Sequence, residues 1–184
     1  LTRLGLSVDD IDLVINTHLH FDHAGGNTMM ENGTLQPVFR KARYVVQKGE
    51  YEDALSPNER TRASYRPEHI GSLEWDLVEG DVELLPGVSV MVTSGHTRHH
   101  QCVKVESDGQ VAFFLGDLIP TTCHLPLPYI MGYDLFPLET LEQKRRLLHQ
   151  AYEERWLLVF EHDPGVSMGY VRRNEKGTYS IDPV

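Results

Sequence analysis

Between His18 and His23, inside the stretch NTHLHFDHAGGN (Asn16 to Asn27), the chain gathers three histidines and one aspartate. Imidazole and carboxylate are the donors that hold divalent cations of the zinc type. In extended backbone, residues two apart face the same side, so His18 and His20 point together and offer one ion two imidazoles, while Leu19 and Phe21 turn into the core. Asp22 and His23 are consecutive and diverge unless the chain turns. Ala24-Gly25-Gly26 supplies the small residues for a tight turn into a helix, which lets this pair serve a second ion. Buried donors this dense would be costly without a cation.

Four donors do not close two sites, so further ligands are required. His96 follows the apolar run Val88 to Thr93, Asp117 follows Val111 to Leu115, and His162 follows Trp156 to Phe160. A histidine after a strand is by itself an ordinary loop residue. Three donors placed just beyond three strands converge at one sheet edge, where strands hold them rigidly.

The elements that must carry these residues are legible in outline. Ile11 to Thr17 and Arg43 to Gln47 read as strands, the second followed by a helix over Glu50 to Leu55, with helical potential between Pro57 and Pro67. From Trp75 to Asp117 the pattern is a meander of four or five strands, with turns at Glu79-Gly80-Asp81, Pro86-Gly87 and Asp108-Gly109. Leu138 to Glu154 reads as an amphipathic helix presenting Leu138, Leu141, Leu148 and Tyr152, and a hairpin is expected around Asn174 to Gly177. His69 and His149 are expected on the surface, and His99, His100 and His124 as solvated loop residues.

With 184 residues, 40% hydrophobic and 24% charged, the chain can bury one sizeable core, so a single domain over residues 1–184 is expected. A net charge of −10 repels phosphate backbones, which argues against nucleic acid as a partner. The basic stretches Arg60 to Arg66 and Lys144 to Arg146 read as solvated helix faces, with Glu142 paired to Arg146. No apolar run has the length of a membrane span and no leader is evident, so a soluble protein without a membrane partner is expected. Cys102 and Cys123 form no metal or disulfide pattern; both are expected to be reduced and buried, in the cytoplasm.

HLHFDHAGG, SGHT, LGD and the late EHD, in this order, resemble the metallo-β-lactamase superfamily, whose signature is HxHxDH followed by a His, a bridging Asp and a final His. The resemblance implies an α+β fold, a four-layer αββα sandwich, here with only about ten residues before the first ligand strand, so that the N-terminal strands are expected to be missing. It implies one ion on His18, His20 and His96, a second on Asp22, His23 and His162, and Asp117 bridging them. Zinc is the first choice of cofactor, with manganese, iron or cobalt suited to the same donors.

Such a pair would activate a bridging hydroxide to open a lactone, ester, thioester or amide, with Asp22 orienting the nucleophile and Asp117 or a metal-bound water protonating the leaving group. His20 stands where flavodiiron relatives carry Glu, and Asp117 where broad-site β-lactamases carry Cys. Val38 to Gln47 and Pro57 to Arg66 look similar to the N-acyl-homoserine lactonase branch. A metal-dependent hydrolase of a small lactone or ester is therefore expected, with other hydrolase chemistries on thioester, phosphotriester or β-lactam, or metal binding without turnover, as alternatives. A homodimer is kept open as an assembly state. The lactonase tyrosine that follows the bridging Asp is replaced by Pro120, leaving Tyr129 and Tyr133 as candidates. The apolar segment Pro120 to Pro137 reads either as the wall of an acyl pocket or as a packed loop. Thr97-Arg98-His99-His100 lacks the family's Pro-Gly turn, which puts the shape of that loop in question.

Overall fold

The computed structural model describes residues 1–184, which divide into two compact units, Leu1–Glu79 and Gly80–Val184. The first unit is built on a three-stranded parallel sheet. Its strands are β1 (Leu13–Ile15), β4 (Arg43–Gln47) and β5 (Trp75–Val78), with β4 in the middle. Parallel pairing needs crossovers. The second crossover contains helices α2 (Lys48–Leu55) and α3 (Pro67–Ile70). The first contains a short helix, α1 (Phe21–Ala24), and the hairpin β2 (Thr28–Glu31) to β3 (Thr34–Pro37). Asn32 and Gly33 turn this hairpin with positive φ of 49° and 81°, as a two-residue primed turn requires. A core of Leu19, Ala24, Val46, Ala54, Tyr65 and Ile70 fills the unit.

The second unit is a seven-stranded sheet in the order β12-β11-β10-β9-β8-β7-β6. The strands are β6 (Val82–Leu85), β7 (Val88–Val92), β8 (Gln101–Ser107), β9 (Gln110–Phe114), β10 (Leu157–Val159), β11 (Met168–Arg173) and β12 (Tyr179–Pro183). Hairpins make β6 to β9 antiparallel, and β9 and β10 pair in parallel because the helix α4 (Pro137–Glu153) intervenes. Phe113, Leu115, Leu147, Leu148, Trp156 and Leu158 anchor its core, with the Phe113 and Trp156 rings 5.1 Å apart.

Several expectations change. Residues between Pro57 and Pro67 form turns, and the helix begins at Pro67 itself, where a proline suits the first helical position. Leu148 is buried as expected, but Leu138 is 76% exposed and Tyr152 lies partly outside; α4 also buries Thr140, Lys144, Leu147 and Ala151. Lys144 is therefore no solvated residue, and Glu142 pairs with Arg145 while Arg146 bonds Gln143. Within the stretch Arg60 to Arg66, Thr61 and Tyr65 are buried.

Both cysteines are free, but only Cys102 is buried; Cys123 is exposed on a 3-10 turn. His149 is exposed, whereas His69 is half-buried and its Nδ1 lies 2.6 Å from the Thr28 hydroxyl. No helix is long and apolar enough to cross a membrane.

Candidate metal centre

Strand β1 ends at Ile15, the chain bends at Thr17, and His20 is extended again, with φ and ψ of −60° and 151°. His18 and His20 meet on one side while Leu19 between them turns into the core, as period-two alternation implies. Leu19 is fully buried, and His18 Nε2 lies 3.1 Å from His20 Nδ1. The alternation stops at Phe21, where α1 begins. Phe21 is consequently 50% exposed, against expectation, with the Arg66 guanidinium 5.3 Å from its ring centroid.

The switch to helix turns Asp22 and His23 back toward the first pair. The His23 ring centroid lies 4.0 Å from that of His18, and His23 Nε2 lies 3.5 Å from Asp22 Oδ2. Four donors in two backbone states thus converge within the first unit.

Neighbours that sequence reasoning missed hold this turn. Glu50, fully buried on α2, accepts through Oε1 from the Leu19 N–H and the Tyr65 hydroxyl, each at 3.0 Å. Leu19 sits between the two histidines, so this carboxylate fixes the backbone that aims both. Burial, and then the Glu50 charge, push the Tyr65 phenol far above its usual range, and it stays a neutral donor. Asn27 Nδ2 donates to Asn16 Oδ1 at 2.9 Å, tying the end of the turn to its start.

In the second unit, Asp117 lies in a 3-10 turn directly after β9, 6% exposed. Its two oxygens face two different imidazoles: His96 Nε2 is 3.1 Å from Oδ2, and His162 Nε2 is 3.3 Å from Oδ1. A carboxylate that spreads its oxygens between two donor groups is disposed to bridge two cations. His96 Nδ1 meets Asp134 Oδ1 at 2.9 Å, and the Thr140 hydroxyl donates to Asp134 Oδ2 at 2.7 Å. The carboxylate fixes which ring nitrogen carries the proton and leaves Nε2 as the ligating atom.

The His96 loop closes without a Pro-Gly turn. Thr93 N–H donates to the His100 carbonyl at 2.8 Å, and the Arg98 guanidinium packs 4.4 Å from the Phe136 ring centroid. Gly95, at φ 151°, lies where a Cβ would come 2.2 Å from Thr140 Oγ1, so the loop approaches α4 as closely as only glycine permits. His100 is not a solvated residue. It is fully buried, its Nδ1 lies 2.7 Å from the Thr93 hydroxyl, and its Nε2 accepts the Asp117 N–H at 3.1 Å, which fixes the backbone that carries the Asp117 carboxylate. His99 and His124 are half-buried, and His124 Nδ1 lies 2.8 Å from the Thr121 hydroxyl.

His162 is anchored by its backbone, with its N–H donating to the Pro120 carbonyl at 3.1 Å. Asp163 next to it accepts from the Thr122 N–H and hydroxyl and from the N–H groups of Gly165 and Val166. These bonds hold its carboxyl well below the usual carboxylate range, the Thr122 hydroxyl contributing most.

In chemistry the two donor sets suit divalent cations. They consist only of imidazoles and carboxylates, and His96 carries the carboxylate partner typical of a ligating histidine.

The metallo-β-lactamase superfamily model matches residues 1–162, and the chain belongs to that superfamily. It has that family's α+β fold: a probable metal-dependent hydrolase from Staphylococcus aureus superposes with a TM-score of 0.86 at 29% identity, over 100% of this chain and 67% of that one. N-acyl homoserine lactonase AiiA of Bacillus thuringiensis subsp. kurstaki is 32% identical over 166 residues, 89% of this chain. An N-acyl homoserine lactone hydrolase solved with N-hexanoyl-L-homoserine at its catalytic metal centre superposes with a TM-score of 0.68 at 32% identity, over 89% of this chain and 60% of that one. The chain spans about 60% of the length of the curated lactonases it matches.

Proposed function

We propose that the two donor sets serve one dinuclear centre that opens the ring of an N-acyl homoserine lactone or a related ester. His18, His20 and His96 would hold one ion, Asp22, His23 and His162 the other, and Asp117 would be shared between the two. The observation that carries this reading is the division of the Asp117 oxygens between His96 and His162. Family membership and the 32% identity to lactonases support the substrate class. When bound, two divalent cations acidify a shared water and polarise the carbonyl oxygen. Zinc is our first choice among them, since imidazole and carboxylate suit it as well as manganese, iron or cobalt.

The chain's own residues direct the rest. Asp22 is exposed, and its carboxylate accepts a hydrogen bond from the attacking water and so points its lone pair at the carbonyl carbon. As the new C–O bond forms, the ring C–O bond breaks and its electron pair stays on the departing oxygen. Asp117, buried and fixed by the His100 contact to its N–H, relays the proton from the water to that oxygen, giving the hydroxy acid. The two free cysteines are compatible with the cytoplasm as the site of action, and residues 1–184 would form a single, N-terminally incomplete domain of this family.

The test is a substrate panel of acyl homoserine lactones, aryl esters, thioesters, phosphotriesters and β-lactams, run with and without a chelator. Lactone opening that disappears with the metal and returns on its replacement is the expected result. Turnover confined to phosphotriesters or β-lactams would replace the lactone reading, and oxygen consumption without any hydrolysis would end it.

A further inference from the structure

Lys144 has no solvent exposure, and its ammonium donates to three backbone carbonyls, those of Pro126 at 2.9 Å, Leu127 at 3.3 Å and Tyr129 at 2.7 Å. All three donors of the group have acceptors. Burying a cation is costly, and burial pushes this ammonium down to about 8. The return for that cost is a fixed course for the segment from Leu125 to Phe136.

Thr140, one turn earlier on α4, holds Asp134, which holds His96. The Leu135 N–H donates to the His96 carbonyl at 3.1 Å and the Phe136 N–H to the Gly95 carbonyl at 2.8 Å. One face of α4 thus clamps the segment at both ends, and its far end is bonded to a candidate ligand loop. Between the clamps the chain exposes Tyr129 (60%) and Tyr133 (73%), with Ile130 and Met131 half-buried and no charged residue from Leu125 to Tyr133. A space-filling loop has no use for exposed aromatic rings on a backbone fixed by a buried cation.

We propose that Lys144 is a positioning residue that holds residues 126–134 as the recognition wall for the apolar acyl part of the substrate, with Tyr129 and Tyr133 as its contacting side chains. This rests on the lactone reading above.

The experiment compares the metal-loaded protein with its Lys144→Met and Lys144→Arg variants. It measures amide hydrogen exchange over residues 126–134, bound metal, and KM and kcat for a short-chain and a long-chain acyl lactone. In Lys144→Met, exchange in the segment accelerates about tenfold or more. KM for the long-chain lactone rises about tenfold, as losing an apolar wall implies. Bound metal and kcat are retained, and Lys144→Arg recovers part of the loss. Unchanged exchange, or a long-chain KM that does not move, overturns the proposal.

Should Lys144→Met fail to fold, the exposed pair Tyr129→Ala and Tyr133→Ala decides: a KM increase confined to the long-chain lactone supports the wall, and equal shifts or none refute it. No lactone turnover in the unsubstituted protein sinks the lactone reading and the recognition role together. Normal turnover with unshifted KM in the variants sinks only the recognition role.

Discussion

Asp117 and Asp134 do different work with the same side chain. Asp117 offers one oxygen to each of two imidazoles, whereas Asp134 gives one oxygen to Nδ1 of His96 and the other to the Thr140 hydroxyl. Asp117→Asn should therefore remove bound metal and hydrolysis together, measured by elemental analysis beside a lactone assay; full activity in that variant would refute the bridging role. Asp134→Ala should leave every donor in place yet weaken metal binding about 10–100-fold, the usual effect of losing a histidine's carboxylate partner. Competition with a chromophoric chelator reads that change directly.

The cysteines give a check of a different kind. Burial pushes the Cys102 thiol up to about 12, while Cys123 is exposed. Native protein near pH 8 should titrate one thiol with a colorimetric disulfide reagent and denatured protein two. Two fast thiols in the native protein would contradict the packing of Cys102 against Leu115.

At the scale of elements, what could be read from the sequence and what could not divide along a physical line. The candidate donors His96, Asp117 and His162 were visible in the sequence because each follows a short apolar run, and β4 runs over Arg43–Gln47 as its composition implies. The residues that hold the ligands were not. Glu50, His100, Asp134 and Lys144 each have at least one partner 15 to 38 positions away, which no local pattern announces. Helix α4 was read from its leucines, but its buried face follows the satisfied polar groups Thr140 and Lys144, because carbonyls and a carboxylate meet them there. The β2–β3 hairpin did carry a signal, Asn32-Gly33, that passes easily for an ordinary loop.

Glu50 tests how far the ligand turn depends on its support. Glu50→Ala leaves the Leu19 N–H and the Tyr65 hydroxyl without their acceptor and should cost about 1–3 kcal/mol of stability in denaturant titration. Metal affinity should fall with it, since Leu19 lies between His18 and His20. A variant equally stable and equally tight for metal would show that the turn holds itself.

On the scale of the whole molecule, each unit contributes donors from the ends of its own sheet: the first from the end of β1 into α1, the second from the ends of β7, β9 and β10. Strand ends are rigid and loops beyond them are free to vary, which is why the family's scaffold suits many substrates and why fold membership alone does not name one. The net charge of −10 further disfavours polyanionic substrates.

The proposal that seven donors make one two-metal centre that opens lactones can be tested by metal titration. Zinc is added stepwise to metal-free protein while acid release from an N-acyl homoserine lactone is followed. Hydrolysis should climb to a break at two equivalents per chain. A break at one equivalent, or no acid release at any ratio while zinc binds, would contradict the proposal.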